Sequence, residues 1–402
     1  MFFREHFGKS SHHTTHLKYT KQVRRLNATD AKEALRQLLA PCSVTLKNPK
    51  SIENVILILE TMKSVFSSLG RVGRDVDRSV GETVYRMMET IWADLTRLSN
   101  QHCKNAKFAE KLCGCHKYMI RFLGSEYFKH FAQSFCKQMA DLFQKSGQSS
   151  FLYASGIAVE SLSNVSEARG MLSQMLFHFT NTVLSICSNE NSVRNNPDIT
   201  EDFFDFCGRY VKYCPDLLLG SPNLERCAAK IFDFAIFSLR VEHREANRSA
   251  IFFLQDVLKL GTKEKSNMSN NRRVATEGMR KLLHAYSPKL AEMFFIIIAG
   301  SLPVQRVDDE DASITRILLA LCKLLPAEQF HKMIEFGLSK LPKESVPQQE
   351  KQRLMNDFFG DRGVFRNPNI HAWNRVTVSF ARSCRRYQRR NGSSSNSGSK
   401  KP

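Results

Sequence analysis

The sequence predicts an all-α protein, a superhelical array of helical pairs, and three observations carry that expectation. Apolar residues recur at three- and four-residue intervals along nearly all of residues 29–390, the spacing that stacks side chains on one face of a helix. No run shows the two-residue alternation of an exposed strand. Pro- and Gly-rich breaks divide the pattern into helices of about 12 to 20 residues, and two such helices with their turns make a unit of about 40 residues, the period of HEAT and armadillo repeats.

Taken in order, residues 1–28 carry His12-His13-Thr-Thr-His16 and Arg24-Arg25 without a sustained period and read as a basic, His-rich, loosely ordered leader. The array, residues 29–390, opens with Leu35, Leu38 and Leu39, then a break at Pro49. Val55, Ile56, Leu59, Met62, Val65 and Phe66 mark the next helix, ended by Gly70 to Gly73, and Val84, Met87, Met88, Ile91 and Leu95 the one after it, up to Ser99-Asn100. Lys104 to Gly124 forms a further helix. Later breaks are expected at Gly147, Asn195-Asn-Pro197, Pro215, Gly220 to Pro222, Gly261, Pro288, Pro303, Pro326, Pro342 and Pro368. Thr262 to Arg273, the acidic turn Asp308 to Asp311 and Pro342 to Gln352 read as polar loops. A last helix, roughly His371 to Arg390, has a seam of Val376, Phe380, Cys384 and Tyr387. Residues 391–402 are Ser- and Gly-rich, hold nothing to bury, and read as a disordered tail.

Bulk chemistry narrows the partners. The chain has 402 residues, 59 Lys and Arg against 39 Asp and Glu, and a formal charge of +20. That balance favours an anionic partner: nucleic acid, an acidic membrane, or an acidic or phosphorylated protein. Residues 366–402 alone hold nine Lys or Arg and no acid. Eleven cysteines are scattered through apolar helical patterns, as reduced, buried thiols of a cytosolic or nuclear protein are. The N-terminus has no apolar run of a signal peptide, and the most apolar segment, Leu290 to Leu302, contains Glu292 and falls short of the ~20 residues a bilayer span needs. No membrane association is expected.

Two helices carry cations in a pattern. Along Lys104 to Gly124, Phe108, Leu112, Cys115, Met119 and Leu123 share one face, while Lys104, Lys107, Lys111, Lys117 and Arg121 lie on an arc away from it, diluted by Glu110. In the last helix Arg382, Arg385, Arg386, Arg389 and Arg390 fall outside the apolar seam, a second candidate surface for an anionic partner. An ordinary solvated face has the same look, and arginines near a helix C-terminus also favour its dipole.

Catalytic and metal chemistry is not indicated. Phe7-Gly8-Lys9-Ser10 resembles the end of a phosphate-binding loop, but Phe3 stands where the leading glycine is needed. His102, Cys103, Cys113, Cys115 and His116 lack a structural zinc spacing and read as packed thiols with a surface histidine. No metalloprotease helix, nucleophile elbow or dinucleotide turn is present. The expectation is a non-enzyme with no cofactor and no metal.

At these residues the chain resembles the transportin-SR group of nuclear import receptors, in the importin-β superfamily, and specifically its C-terminal half. Asn105 to Gly124 is similar to that group's arginine-rich helix. Glu201 to Val211, Glu242 to Ser249 with Phe253 to Val257, and Leu341-Pro-Lys-Glu344 are similar to family segments in the same order, and His243-Arg-Glu-Ala-Asn247 is the most specific piece. The resemblance spans about residues 30–390. It implies a shuttling receptor of nucleus and cytoplasm whose basic helix contacts phosphorylated Arg/Ser-rich splicing-factor cargo. Lys107, Lys111, Lys117 and Arg121 stand where the family has arginines, and Gly114 replaces another. The N-terminal half, which in the family binds the Ran GTPase and nucleoporins, has no counterpart here. A basic helical-repeat scaffold that binds RNA is the alternative.

Overall fold

The computed structural model describes residues 28–71, 78–221, 225–241, 243–262, 269–300, 314–343, 346–366 and 369–395. The leader through Asn27, the loop-like Phe7 to Ser10 motif within it, the Asp308 to Asp311 turn and residues 396–402 lie outside them. Among the described residues are seventeen α-helices, one short 3-10 turn and no strand. The fold is all-α, an array of HEAT-like helical pairs, in two compact units, residues 1–175 and 176–402.

In the first unit, α1 (Ala28–Lys47), α3 (Arg78–His102) and α5 (Ala132–Ser146) pack in succession as one layer. A second layer is formed by α2 (Ile52–Arg71), α4 (Ala106–Phe128) and α6 (Ser150–Leu162), with α4 packed between the other two. The 3-10 turn Ser166–Ala168 and the first residues of α7 (Arg169–Ile186) follow, the rest of α7 belonging to the second unit. The second unit repeats the plan. Its helices α8 (Glu190–Asn195), α9 (Pro197–Tyr213), α10 (Pro215–Leu219), α11 (Glu225–Ser238), α12 (Arg244–Gly261) and α13 (Asn270–Ile298) are followed by α14 (Ile314–Leu324), α15 (Ala327–Ser339), α16 (Gln348–Phe359) and α17 (Ile370–Ser395). Here α9, α12, α14 and α17 make one layer, and α10, α13 and α15 the other.

Most punctuation falls where the sequence puts it. Pro197 and Pro215 open α9 and α10, where a missing N–H is no loss. Gly147 ends α5 in the left-handed region at φ 67°. Gly124 interrupts α4 with φ 59° and ψ −172°, a conformation open essentially to glycine alone. Of the breaks expected within the described residues, one is absent and one is displaced. Pro288 lies inside α13, because Leu282, Leu283, Leu290 and Phe294 on either side of it are all buried and hold both flanks to one helix. Ser99-Asn100 belongs to α3, since Ser99 Oγ donates to the Leu95 carbonyl at 2.6 Å and the helix runs on to His102. Helical backbone also continues to Ser395, into the stretch read as tail.

The distinctive His243 to Asn247 segment is a structural lock. His243 Nδ1 accepts from the Ala246 amide at 3.4 Å and caps α12. Buried Asn247 donates from Nδ2 to the carbonyls of Ser238 at 3.0 Å and Val241 at 3.1 Å, tying the end of α11 to the start of α12. The eleven cysteines are free thiols; ten are buried and Cys322 is half-buried.

Candidate functional site

The centre of the first unit's second layer is α4, and its position explains its two faces. Asn105 starts it, accepting the Phe108 amide on Oδ1 at 2.9 Å. Phe108, Leu112, Cys115, Met119 and Leu123 are at most 3% exposed, as their shared face requires. A second seam, Ala109, Cys113, His116 and Ile120, is buried beside it because α3 packs behind α4 while α2 and α6 flank it. His116 is therefore not a surface histidine: it is 2% exposed, edge-on to Trp92 and Phe135 with ring centroids 5.7 and 5.4 Å away. Neither ring nitrogen has a hydrogen-bond partner, and burial pushes its pKa down to about 4. Burial also pushes the Cys136 thiol up to about 12 and raises the Cys115 thiol strongly, so both stay protonated and unreactive. No group of His, Cys, Asp and Glu among the described residues is placed to hold a metal. None of the helices there is long and apolar enough to cross a membrane.

The five cations of this segment meet different surroundings. Lys104 precedes the helix, exposed in the turn between α3 and α4. Lys107 is exposed near the start of α2, where Glu53 feels its charge; that carboxyl is held down first by its own backbone amide and by Ser51. Lys111 is engaged, 3.2 Å from Glu110 and 3.3 Å from Glu60 of α2, and these two acids raise its pKa. Lys117 donates to the Tyr153 hydroxyl of α6 at 2.8 Å and lies 5.1 Å from that ring's centroid. Arg121 is exposed, with no acid partner among the described residues. The acids thus gather at the N-terminal half of α4, leaving its C-terminal half purely cationic up to the Gly124 kink.

In α17 the buried seam is Trp373, Thr377, Phe380, Ala381 and Cys384, shifted from the expected one; Val376 and Tyr387 are only half-buried. Trp373 sets the shift, fully buried and donating from Nε1 to the Val364 carbonyl at 3.0 Å. Arg382, Arg386, Arg389 and Arg390 are exposed, whereas Arg385 is half-buried with its stem against Gly300.

Sequence reasoning missed Lys63 and Tyr153, which α2 and α6 bring to α4. The cation nearest Gly114 is Lys63, half-buried and without an acid partner among the described residues. Only the glycine itself, a gap in the cation arc, marked the spot in sequence.

Fold and surface define a HEAT-type helical-repeat protein with a cationic strip on one helix layer. Residues 82–187, from α3 through α7, match the family described as the Transportin-3/Importin-13 fourth TPR domain. Transportin MOS14 of Arabidopsis thaliana is 23% identical over 278 residues, covering 68% of this chain and 27% of its own length. A solved structure described as the importin-13 cytosolic state has a TM-score of 0.71 at 17% identity, across 92% of this chain and 40% of that chain. The chain therefore spans well under half the length of the proteins it matches. All three similarities are to proteins described as transportins or importins.

Proposed function

We propose that this chain is the cargo-binding part of a nuclear import receptor of transportin-SR type, taking phosphorylated Arg/Ser-rich segments of splicing factors on α4. The observation that carries this reading is the family match over residues 82–187, which contains the whole of α4, together with Lys117 and Arg121, which have no acid partner among the described residues. A phosphoserine brings about −1.5 to −2 charges and three strong acceptors, which suits a strip of Lys and Arg. Lys107, Lys117 and Arg121 supply charge; Lys111 is weakened as a ligand by Glu60 and Glu110. Lysine lacks the planar fork of arginine, so this surface selects charge more than geometry. Ran and nucleoporin binding, and shuttling between nucleus and cytoplasm, are proposed for the whole receptor. No catalytic step is assigned.

The test is fluorescence anisotropy of a labelled Arg-Ser peptide, phosphorylated or not, against the chain and its Lys107→Glu/Lys117→Glu/Arg121→Glu variant. Phosphorylated peptide should bind tighter and lose affinity in the variant; equal binding of both forms would sink the reading. RNA is the second reading, favoured by one observation: α17 carries exposed Arg382, Arg386, Arg389 and Arg390 and no acid. A single-stranded RNA whose affinity falls steeply with salt and with Arg382→Glu/Arg386→Glu would support it.

A further inference from the structure

Gly114 sits in the middle of α4, the one place on its cation arc where a side chain is missing. An ideal Cβ there would lie 3.4 Å from Cδ, 3.6 Å from Cε and 3.7 Å from Nζ of Lys63. The Lys63 stem thus crosses α4 at Gly114 and brings its ammonium to the place where a side chain from position 114 would emerge. Lys63 is half-buried and has no acid partner among the described residues, in contrast to neighbouring Lys111 between Glu60 and Glu110.

We propose that Lys63 is a binding residue of the anion surface, supplying from α2 the cation that α4 lacks at Gly114, so that phosphate is held by a two-helix cluster of Lys63, Lys117 and Arg121. This rests on the reading of α4 as a phosphopeptide surface. Positions 114, 117 and 121 are three and four residues apart, a strip of about 10 Å at 1.5 Å per residue. Phosphoserines at alternate positions of an extended peptide are about 6.8 Å apart. Two of them therefore fit the strip, one between Lys63 and Lys117 and one between Lys117 and Arg121. The ligand this cluster takes is a peptide with two phosphoserines separated by one residue.

The probe is a labelled peptide of the form Arg-pSer-Arg-pSer, measured by anisotropy against the full chain. Lys63→Met keeps an apolar stem over Gly114 and removes the charge; it should weaken binding ~10-fold, the order expected for one charge-assisted contact to phosphate. Lys63→Ala should weaken it equally, and Lys63→Ala/Gly114→Lys, which returns an ammonium to the same place from α4, should restore it. Wild-type affinity in Lys63→Met, or no rescue in the double variant when its circular dichroism matches wild type, overturns the role of Lys63. If the Lys107→Glu/Lys117→Glu/Arg121→Glu variant still loses phosphopeptide binding in that case, the α4 reading stands without it. Wild-type protein that binds the doubly phosphorylated peptide no better than the unphosphorylated one overturns both. Preference for a single-stranded RNA over this peptide, with the same loss in Lys63→Met, overturns the phosphopeptide assignment.

Discussion

The imidazole of His116 lies edge-on to the indole of Trp92, ring centroids 5.7 Å apart, and neither His116 nitrogen nor Trp92 Nε1 has a hydrogen-bond partner. The contact is aromatic packing between α3 and α4 in which three polar atoms go unused. It should make the first unit acid-sensitive. The folded pKa of His116, about 4, lies below the unfolded value of about 6.5, so the unfolded chain takes up the proton first as pH falls. Stability should be full above about pH 6.5 and decline toward pH 4, by up to ~3 kcal/mol from this residue at 1.36 kcal/mol per unit. His116→Leu should flatten that decline and leave neutral-pH stability equal or higher, since an unpartnered buried polar group costs ~1–3 kcal/mol. Thermal melts across pH 4–7 check it; an unchanged slope in the variant would refute the assignment.

Helix α13 crosses the end of α10 so closely that a Cβ on Gly278 would overlap the Leu219 carbonyl oxygen. A backbone oxygen cannot swing aside as a side chain can. Gly278→Ala should therefore destabilise the second unit by at least ~1–3 kcal/mol, the usual cost of overpacking. Gly208, inside α9 with nothing within 4 Å of its own Cβ position, is the control. Gly208→Ala should stabilise by ~0.5–1 kcal/mol, as alanine does over glycine in a helix interior. Urea denaturation should move the two midpoints in opposite directions.

Asn247 earns its place through two donor hydrogens aimed at carbonyls of the preceding turn. Asn247→Ala should cost ~2–3 kcal/mol, two buried hydrogen bonds with their acceptors left unpaired. Asn247→Asp should cost more, because a carboxylate would face the Ser238 and Val241 oxygens without a proton to share. Denaturant midpoints in the order wild type, Ala, Asp are expected, and a tolerated Asp would mean the turn is held otherwise.

Much of this was legible in the sequence, for a physical reason: helix faces and caps are written in local spacing. The apolar stack from Phe108 to Leu123, the proline starts of α9 and α10, the glycine kink at 124 and the glycine stop at 147 depend only on neighbours in sequence. Pro288 misled because its ~3 kcal/mol helix penalty is outweighed by burial on both of its flanks, which is tertiary. The site was half legible for the same reason. The cations of α4 could be read off one helix, but whether each is available depends on α2, where Glu60 neutralises Lys111 and Lys63 replaces the missing side chain at 114. His116 turned inward because α4 is covered by α3 as well as by its flanking helices, something its own polarity does not reveal.

Gly114 separates stability from binding in a way a single substitution can expose. A methyl added there has the Lys63 side chain as its nearest neighbour, Cδ at 3.4 Å, Cε at 3.6 Å and Nζ at 3.7 Å, ordinary contact with a flexible chain. Gly114→Ala should thus recover the helix-interior penalty of glycine, raising stability by ~0.5–1 kcal/mol. Lys63 shifts by at most a few tenths of an ångström and keeps its ammonium on the surface, so anion affinity should stay within about twofold, far below the 1.4 kcal/mol that a tenfold loss represents. A bulkier uncharged residue should separate the two effects: Gly114→Leu occupies the path of the Lys63 stem, displaces the ammonium and should lower affinity while helicity is retained. Paired thermal melts and anisotropy titrations of the two variants decide the matter. Equal affinity in Gly114→Leu would mean that the Lys63 charge reaches the surface by another route.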